Sequence, residues 1–322
     1  MVKKLARAAL SWAGAVSVGL VLCAFGAQAD AKIRAGTPEP TAFVFSPVTV
    51  GIETGIFKKA GLDVERIDFA GGAKMHQAMA AGSLDVIIGT GSDMLFLIRG
   101  APERGVAAYA NDLNSLSLVV RNDGSIKSIA ELKGKTIATT TPGSFTSWIA
   151  KTIAKKHGFG PDGIKLAYLG QMAGIVSGLL SKNVDAMVGT TSTGLKLESE
   201  GKARILVKAG DEIHDFIADI LYASEPMMTQ RPDELRRFLR AWFETTAFMK
   251  SHKAETLRIT EKVTHLPDDI ASKTYDAEMP TFFSDGHFDR KKLAAVQQAL
   301  IDVGVIDKTV PDSQLVTEKF LP

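Results

Sequence analysis

Glycine and hydroxyl residues stand in this sequence where a strand-like run changes into a helix-like one. In TIATTTPGSFTSWIA, residues 136–150, the β-branched run breaks at Pro142 and Gly143, and a helical pattern starts at Ser144. The N-terminus of a helix exposes backbone N–H groups, which can bind a negative or polar group. Glycine also lets a ligand approach the backbone closely. The stretch therefore predicts a loop that holds a ligand.

Loops of this character occur six times, three in each half of a repeated pattern. Because ligands of open parallel sheets bind outside the carboxyl ends of the strands, we expect all six loops to face one cleft. They span residues 37–45, 70–74, 90–93, 139–146, 170–172 and 190–193. The candidate ligand-binding residues in them are Glu39, Phe45, Gly72, Lys74, Thr90, Gly91, Ser92, Ser144, Phe145, Thr146, Gln171, Thr191 and Ser192.

The two charged candidates favour opposite kinds of ligand. Lys74 is a cation in a predicted loop and would pair with an acidic group, although a solvated lysine in the first turn of a helix fits equally well. Glu39 favours a cationic or hydrogen-bond-donating ligand. His76 is interpreted as a structural residue. Phe45 and Phe145 would form an apolar wall, unless their helical spacing places them in the core.

Motifs for catalysis or metal binding are not found. Gly134-Lys135-Thr136 resembles the end of a phosphate-binding P-loop, but Ile129 stands where the first glycine is required, and the motif precedes its strand. No Gly-x-Ser-x-Gly elbow and no His-Glu-x-x-His motif is present. The six histidines show no spacing typical of a zinc site. We therefore predict no catalytic residue, no metal and no cofactor.

The elements that must position these loops are revealed by an internal repeat. LDVIIGTGS (residues 84–92) aligns with VDAMVGTTS (residues 184–192), so that Asp85 matches Asp185 and the Gly-Thr-x-Ser endings coincide. Upstream, KIRAGTPEPTAF (32–43) resembles KTIATTTPGSF (135–145). Each copy reads as strand–helix–strand–helix–strand, which implies parallel pairing with right-handed crossovers.

This pattern predicts an α/β fold with two similar doubly wound domains and a ligand cleft between them. Helix boundaries carry their own signals. Ser46 is a predicted N-cap, with Pro47 at the first helical position and Gly61 after the last turn. In the second copy, Gly158 follows a helix that ends with Lys155 and Lys156.

The N-terminus has the features of a secretory signal peptide. Three basic residues precede an apolar run at residues 13–25, and Ala27-Gln28-Ala29 predicts cleavage after Ala29. Lipidation of Cys23 is the less favoured alternative, because bulky Leu22 precedes it. Cleavage would remove the three basic residues and lower the net charge from +2 to −1, and would also remove the single cysteine. The mature chain is thus a predicted periplasmic protein with neither a thiol nucleophile nor the basic surface that nucleic-acid binding requires.

Three segments resemble the type II periplasmic binding proteins of the nitrate, sulfonate, taurine and thiamine-precursor group, which are capture subunits of ABC importers. They are residues 51–92, residues 128–158 and VDAMVGT at residues 184–190. The resemblance implies two domains joined by two hinge strands, at residues 116–121 and 217–223. It also implies a return to domain one through a helical segment at residues 232–263. The implied boundaries are 30–118 plus 221–322 for domain one and 119–220 for domain two.

The resemblance further implies a monomer that binds a small molecule and delivers it to an inner-membrane permease with a cytoplasmic ATPase. We expect a small, anionic organic solute such as a sulfonate, a carboxylate or a nitrate-like ion. Many members have an aromatic residue, an acid and a proline after the last strand of the second domain, where GTTSTG (residues 189–194) stands here. The alternatives are a binder of a pyrimidine thiamine precursor, a fold-related pyrimidine-synthase-type enzyme, and a subunit of a periplasmic sensor.

Overall fold

A computed structural model describes residues 31–111 and 113–322. The predicted signal peptide and Cys23 lie outside these residues. The strands are β1 Ala31–Thr37, β2 Leu62–Asp68, β3 Val86–Thr90, β4 Glu103–Ala110, β5 Leu116–Arg121, β6 Thr136–Thr139, β7 Lys165–Tyr168, β8 Ala186–Thr190, β9 Ala203–Lys208 and β10 Asp219–Ser224.

The helices alternate with these strands in the first two thirds of the chain and follow one another in the last third. They are α1 Pro47–Glu53, α2 Ile56–Lys59, α3 Gly72–Ala80, α4 Met94–Ile98, α5 Phe145–Lys156, α6 Met172–Leu180, α7 Thr191–Ser199, α8 Ala209–Glu212, α9 Glu225–Gln230, α10 Pro232–Ser251, α11 Lys253–Thr264, α12 Asp268–Glu278, α13 Arg290–Asp302 and α14 Asp312–Leu315.

The strands form two five-stranded sheets with the same arrangement. The first has the order β2-β1-β3-β10-β4 and the second the order β7-β6-β8-β5-β9, so that β6, β7 and β8 take the places of β1, β2 and β3. We call residues 31–110 and 219–322 the first lobe and residues 116–208 the second lobe. The prediction of two similar α/β domains is confirmed; their boundaries stay a prediction.

The matched aspartates of the repeat, Asp85 and Asp185, accept equivalent backbone hydrogen bonds in the two lobes. Asp85 Oδ2 accepts a hydrogen bond from the backbone N–H of Arg34 at 2.8 Å, and Asp185 Oδ2 accepts one from the N–H of Thr136 at 2.9 Å. Each carboxylate thus joins the start of the third strand of its copy to the first strand. The sequence similarity reflects an equivalent structural role.

The strands of each repeat copy pair in parallel as predicted, whereas two strands outside the repeat run antiparallel to their neighbours. β5 is antiparallel to β8 and β9, and β10 is antiparallel to β3 and β4. The reason lies in the chain path, because Leu116 starts β5 opposite Thr190, and Asp219 starts β10 opposite Thr90. Each strand enters its sheet from the cleft side, where the parallel strands end.

The crossings between the lobes lead into β5 and β10, the strands at the ranges predicted for the hinges, and the hinge positions stay a prediction. The chain passes from one sheet to the other between β4 and β5, and returns between β9 and β10. Residues 116–121 and 219–223 belong to sheet strands. The predicted helical segment at residues 232–263 forms α10 and α11, and α10 packs against α1 and α2 of the first lobe.

One predicted helix is interrupted. The segment that follows Ser46 forms α1 and α2 instead of a single helix, because Gly55 adopts a left-handed conformation with φ of 73°. Pro47 does begin α1, but the side chain of Ser46 makes no capping bond. In the second lobe Ser144 caps α5 by accepting from the N–H of Ser147 at 3.3 Å, and α5 ends at Lys156 as its sequence predicts.

Candidate ligand-binding site

A cavity of about 60 Å³ lies where the two lobes face each other, beside the carboxyl ends of the parallel strands. It is lined by Pro38, Glu39, Ala42, Phe43, Val44, Phe45, Gly71, Gly72, Thr90, Asp93, Ser115, Leu116, Thr140, Ser144, Phe145, Thr146, Met172, Thr190, Asp219 and Glu278. Both lobes thus contribute to one site.

The cleft is closed in this structure. Gly71 of the first lobe lies so near the second that a Cβ atom added to it would be 2.6 Å from Thr141 Oγ1. Across the same seam, a Cβ atom on Gly143 would contact Leu95 at 3.5 Å. Benzene occupies a cavity of about 150 Å³ in an apolar protein core. A ring-sized ligand therefore requires the two lobes to separate and then to close around it.

Carboxyl groups supply the charge of the cavity. Glu39, Asp93, Asp219 and Glu278 line it, and each is at least nine-tenths buried. No lysine, arginine or histidine among the described residues is part of the lining. The cavity is therefore suited to positive charge or to N–H donors, because a buried anion beside several carboxyl groups would lack compensation.

Glu39 bridges the two lobes. Its Oε1 accepts from the backbone N–H and the hydroxyl of Thr41, at 3.3 and 2.8 Å. Its Oε2 accepts from the N–H of Met172, the first residue of α6, at 3.3 Å. Burial raises the pKa of Glu39 above its ordinary value, and the hydrogen bonds from Thr41 and Met172 oppose that shift only in part. The carboxylate of Glu39 thus occupies a helix N-terminus that would otherwise attract an anion.

The second lobe contributes a cluster of hydroxyl groups. Thr146 Oγ1 accepts from the backbone N–H of Thr140 at 3.0 Å and lies 3.1 Å from Thr140 Oγ1 and 3.0 Å from Ser144 Oγ. Hydroxyl groups both donate and accept, so this wall can bind either kind of polar group on a ligand. The loop of residues 139–146 thus contributes to the cavity wall, and its contact with a ligand stays a prediction.

Aromatic rings from both lobes form the apolar part of the lining. Phe43 and Phe45 come from the first lobe and Phe145 from the second. The Phe145 ring stacks on Trp148 at 5.5 Å and on Phe216 at 5.8 Å between centroids, which fixes its position. The cavity therefore combines an apolar space with a carboxyl-rich wall and a hydroxyl-rich wall.

The thirteen predicted ligand-binding residues separate into two groups. Those that line the cavity are Glu39, Phe45, Gly72, Thr90, Ser144, Phe145 and Thr146. Those that do not line it are Lys74, Gly91, Ser92, Gln171, Thr191 and Ser192. Contact with a ligand stays a prediction for the first group.

Lys74 and Gln171 do not line the cavity, because their side chains are exposed. α3 begins at Gly72, and this start turns Met75 and His76 into the protein while Lys74 lies on the outer side. Gln171 precedes α6 without capping it, and the next residue, Met172, lines the cavity instead.

Four other candidates hold the loops together. The N–H of Gly91 donates to Ala218 O at 2.8 Å at the second crossing, and Thr191 Oγ1 donates to Asn114 O at 2.6 Å near the first. Ser92 and Ser192 each lie 3.2 Å from the threonine hydroxyl two residues before them, Thr90 and Thr190. These contacts turn the side chains into the loop and away from the cavity.

Several lining residues were not among the predicted ones. Thr140 and Thr190 lie in predicted loops and carry the same hydroxyl signal as their neighbours. Asp93 also lies in a predicted loop, and a comparison of the two copies distinguishes it, because the first copy has a carboxyl group where the second has Thr193. Asp219 begins β10, and Glu278 ends α12, so no local pattern connects either residue with the loops.

Metal binding and membrane insertion have no structural counterpart in the described part of the chain. Within residues 31–111 and 113–322, no cluster of His, Cys, Asp and Glu could hold a metal ion. No helix in these ranges combines the length and the apolar character needed to cross a bilayer.

The chain is similar in sequence to bacterial proteins. "Putative binding protein YtlA" of Bacillus subtilis strain 168 is 21% identical over 303 residues, which cover 91% of this chain and 90% of YtlA. A "Putative thiamine biosynthesis protein" of Haemophilus influenzae is 27% identical over 215 residues, covering 65% of this chain and 66% of that protein.

The fold is that of periplasmic binding proteins. The alkanesulfonate-binding protein SsuA of Xanthomonas axonopodis pv. citri, solved with MOPS bound, superposes with a TM-score of 0.79 at 17% identity, over 90% of this chain and 99% of SsuA. The family described as NMT1/THI5 like matches residues 42–256, which contain most of both lobes. The chain therefore belongs to the NMT1/THI5-like family.

Proposed function

We propose that this protein is the periplasmic solute-binding component of an ABC importer and that its ligand presents a positive charge or N–H donors. The observation that carries the choice of ligand is the lining of the cavity, to which the described residues contribute four carboxyl side chains and no lysine, arginine or histidine. The sequence favours a small anion, and the carboxyl groups argue against it. A solute-binding role agrees with the relatives that are named binding proteins.

The two lobes would divide the recognition of the ligand. Glu39 and Asp93 of the first lobe would receive its positive or N–H-donating end. The hydroxyl groups of Thr140, Ser144 and Thr146 would contact its other polar groups. A flat or compact apolar body would fit between the phenylalanine rings. A small amine or an aminopyrimidine satisfies these requirements, and the latter agrees with the thiamine-related relative.

The test uses ligands that share one body and differ in charge. Residues 30–322 would be unfolded, dialysed to remove any bound solute, refolded, and screened by thermal shift and calorimetry. The panel contains benzylamine, benzyl alcohol and benzoate as a matched series, 4-amino-5-hydroxymethyl-2-methylpyrimidine as an N–H donor, and taurine, ethanesulfonate and nitrate as the sequence-based alternatives. A ligand at a hundred times its dissociation constant adds about 2.7 kcal/mol of stability.

Stabilisation by benzylamine or the aminopyrimidine, with weaker effects of benzyl alcohol and benzoate, is the expected result. Stabilisation by the sulfonates, nitrate or benzoate alone would overturn the choice of ligand and restore the anion. Native mass spectrometry of protein purified from the periplasm provides an independent check, because the composition of any copurified solute reveals its charge directly.

A further inference from the structure

A buried cluster of charged side chains lies behind the part of the cavity wall that Asp93 forms. The His76 side chain, on α3, is 2% exposed. Its Nδ1 lies 2.5 Å from Glu103 Oε1, and its Nε2 lies 3.5 Å from Asp93 Oδ2. The imidazole also stacks on Phe96 with 4.4 Å between the ring centroids, so the ring has a fixed orientation. Of these residues only Asp93 reaches the cavity.

We propose that Asp93 is the ligand anchor of this cavity and that His76, held by Glu103, is the positioning residue that fixes the Asp93 carboxylate against the ligand. The inference rests on the proposed function, since it selects one of the four carboxyl groups as the receiver of the ligand's positive or N–H-donating end. His76 then has a role in binding without touching the ligand.

The local backbone is shaped around the Asp93 carboxylate. The N–H of Thr90 donates to Asp93 Oδ2 at 2.8 Å. A Cβ atom on Gly72 would lie 2.7 Å from Asp93 Oδ1, and one on Gly89 would lie 2.7 Å from Oδ2. Glycine at both positions therefore leaves the space that the carboxylate occupies. Oδ2 is engaged by Thr90 and faces His76, whereas Oδ1 lies toward Gly72, itself a cavity residue.

The second copy of the repeat shows that the fold does not need this carboxylate. In the matching loop, Thr190 Oγ1 accepts from the N–H of Thr193, so hydroxyl groups alone close the turn before α7. In the first copy, Asp93 replaces that threonine, and a buried histidine accompanies the replacement. Asp93 also closes a capping box with Thr90, but the second copy closes the same turn without a carboxylate, so capping alone does not require the buried pair of Asp93 and His76.

The charges of the cluster favour a positive ligand group. Burial alone would lower the pKa of His76, but the facing Asp93 and Glu103 carboxylates outweigh it and raise the pKa to about 9. One imidazolium between two carboxylates leaves a net negative charge behind the cavity wall. The ring edge of Tyr222 faces His76, and burial together with Asp93, Glu103 and Asp219 raises the pKa of Tyr222 well above the usual range. The pKa of Tyr109 is likewise raised well above the usual range by burial and by Asp219 and Asp93.

The first experiment compares selectivity. Dissociation constants of benzylamine, the aminopyrimidine and benzyl alcohol would be measured for wild type, Asp93→Asn, His76→Gln and Glu103→Gln. The exposed His214→Gln and Asp307→Asn serve as matched controls. A charge-assisted hydrogen bond corresponds to a loss of about 10- to 100-fold in amine affinity for Asp93→Asn. His76→Gln should lower the ratio of benzylamine to benzyl alcohol affinity about 10-fold, whatever its effect on stability.

A purely structural role for His76 would lower the affinity for all ligands equally, and an unchanged ratio in both Asp93→Asn and His76→Gln overturns the proposal. The second experiment needs no ligand and no folded His76 variant. NMR of ¹³C,¹⁵N-histidine-labelled wild type should show an imidazolium ring at His76 up to pH 8, and Asp93→Asn should shift its deprotonation to lower pH. A neutral ring at pH 7, or a midpoint unchanged by Asp93→Asn, refutes the cluster. If no probe in the panel binds wild type, the proposed function fails, while these NMR outcomes still decide whether His76 and Asp93 act together.

Discussion

Replacing Asp85 with asparagine should destabilise the protein far more than the same change at Asp185, although the two residues match in the repeat. The Asp85 carboxylate accepts four hydrogen bonds. One comes from the N–H of Arg34 and two from its guanidinium, at 3.0 Å each, and one comes from the guanidinium of Arg231, also at 3.0 Å. Asp185 accepts from the N–H of Thr136 at its Oδ2. The difference between the variants therefore measures the arginine contacts.

The magnitude follows from the burial of the groups. The side chain of Asp85 is 9% exposed, while those of Arg34 and Arg231 are 35% and 28% exposed. Removing one partner of a buried ion pair costs about 3–5 kcal/mol, and partial exposure of the arginines reduces this. We expect a loss of about 3 kcal/mol for Asp85→Asn. For Asp185→Asn we expect about 1 kcal/mol, since one hydrogen bond changes from charged to neutral.

Urea unfolding followed by circular dichroism at pH 7 measures both losses. The pH dependence provides a second check. Burial would raise the pKa of Asp85, but the bonds from Arg34 and the charge of Arg231 lower it below its ordinary value. Its contribution is therefore present above the unfolded-state pKa, near 3.9, and is lost as the pH falls through the folded-state pKa. Equal losses for Asp85→Asn and Asp185→Asn at pH 7 would show that the arginine contacts add nothing and refute the reasoning.

Three further predictions concern the cleft. The pKa of His76 is raised from 6.5 to about 9, so protonation of His76 stabilises the folded state by about 3 kcal/mol below pH 6.5. This contribution is lost as the pH rises through 9. Urea unfolding at pH 6 and at pH 9.5 should therefore show the loss of stability in wild type but not in His76→Gln. Burial raises the pKa of Glu39, and an ionised Glu39 adds to the attraction of a cation in the cavity. Benzylamine affinity should therefore fall as the pH is lowered from 7, and calorimetry should find a smaller fall in Glu39→Gln. Gly91→Ala should destabilise the protein by more than about 2 kcal/mol in the same unfolding assay, because the added Cβ would collide with the backbone oxygen of Ile217. The control is Gly134→Ala, where the added Cβ meets open space and only the φ of 78° is unfavourable, so the expected cost is about 1 kcal/mol.

The architecture could be predicted because the two copies of the repeat form the same strands and the same stabilising contact. Asp85 and Asp185 stand at the same point of equivalent strands, and the sequence similarity around them implies the shared strand order of the two sheets. Ser144 could be predicted as a cap because the signal is local, with the accepting hydroxyl three residues before the donor N–H. A pattern that occurs in both copies is readable in this way, whereas the single N-cap signal at Ser46 predicted a capping bond that its side chain does not make.

The site could be predicted only in part, because its charge comes from distant parts of the chain. Asp219 reaches the cavity as the first residue of an antiparallel strand, and Glu278 reaches it at the end of a helix far beyond the repeat. Lys74 shows the opposite problem. One helical step separates the exposed Lys74 from the buried Met75, and the position of the first turn decides which side chain faces solvent. The prediction of an anionic ligand relied on Lys74 and on open helix N-termini. It did not include Asp219 and Glu278, because no local pattern places them at the cleft.

The two lobes share a scaffold but differ in the chemistry that they turn toward the cleft, and this difference fixes the direction of a bound ligand. At the position where the first lobe carries Asp93, the second carries Thr193, and around the cavity the first lobe supplies carboxyl groups where the second supplies hydroxyl groups. A ligand with one positive end would therefore be held first by the lobe that bears the charge. The second lobe would then close over the neutral end of the ligand, because its hydroxyl groups can donate or accept a hydrogen bond and so can pair with either kind of polar group there. A symmetric pair of anion-binding helix ends would have no such order, and Glu39 already occupies one of those ends.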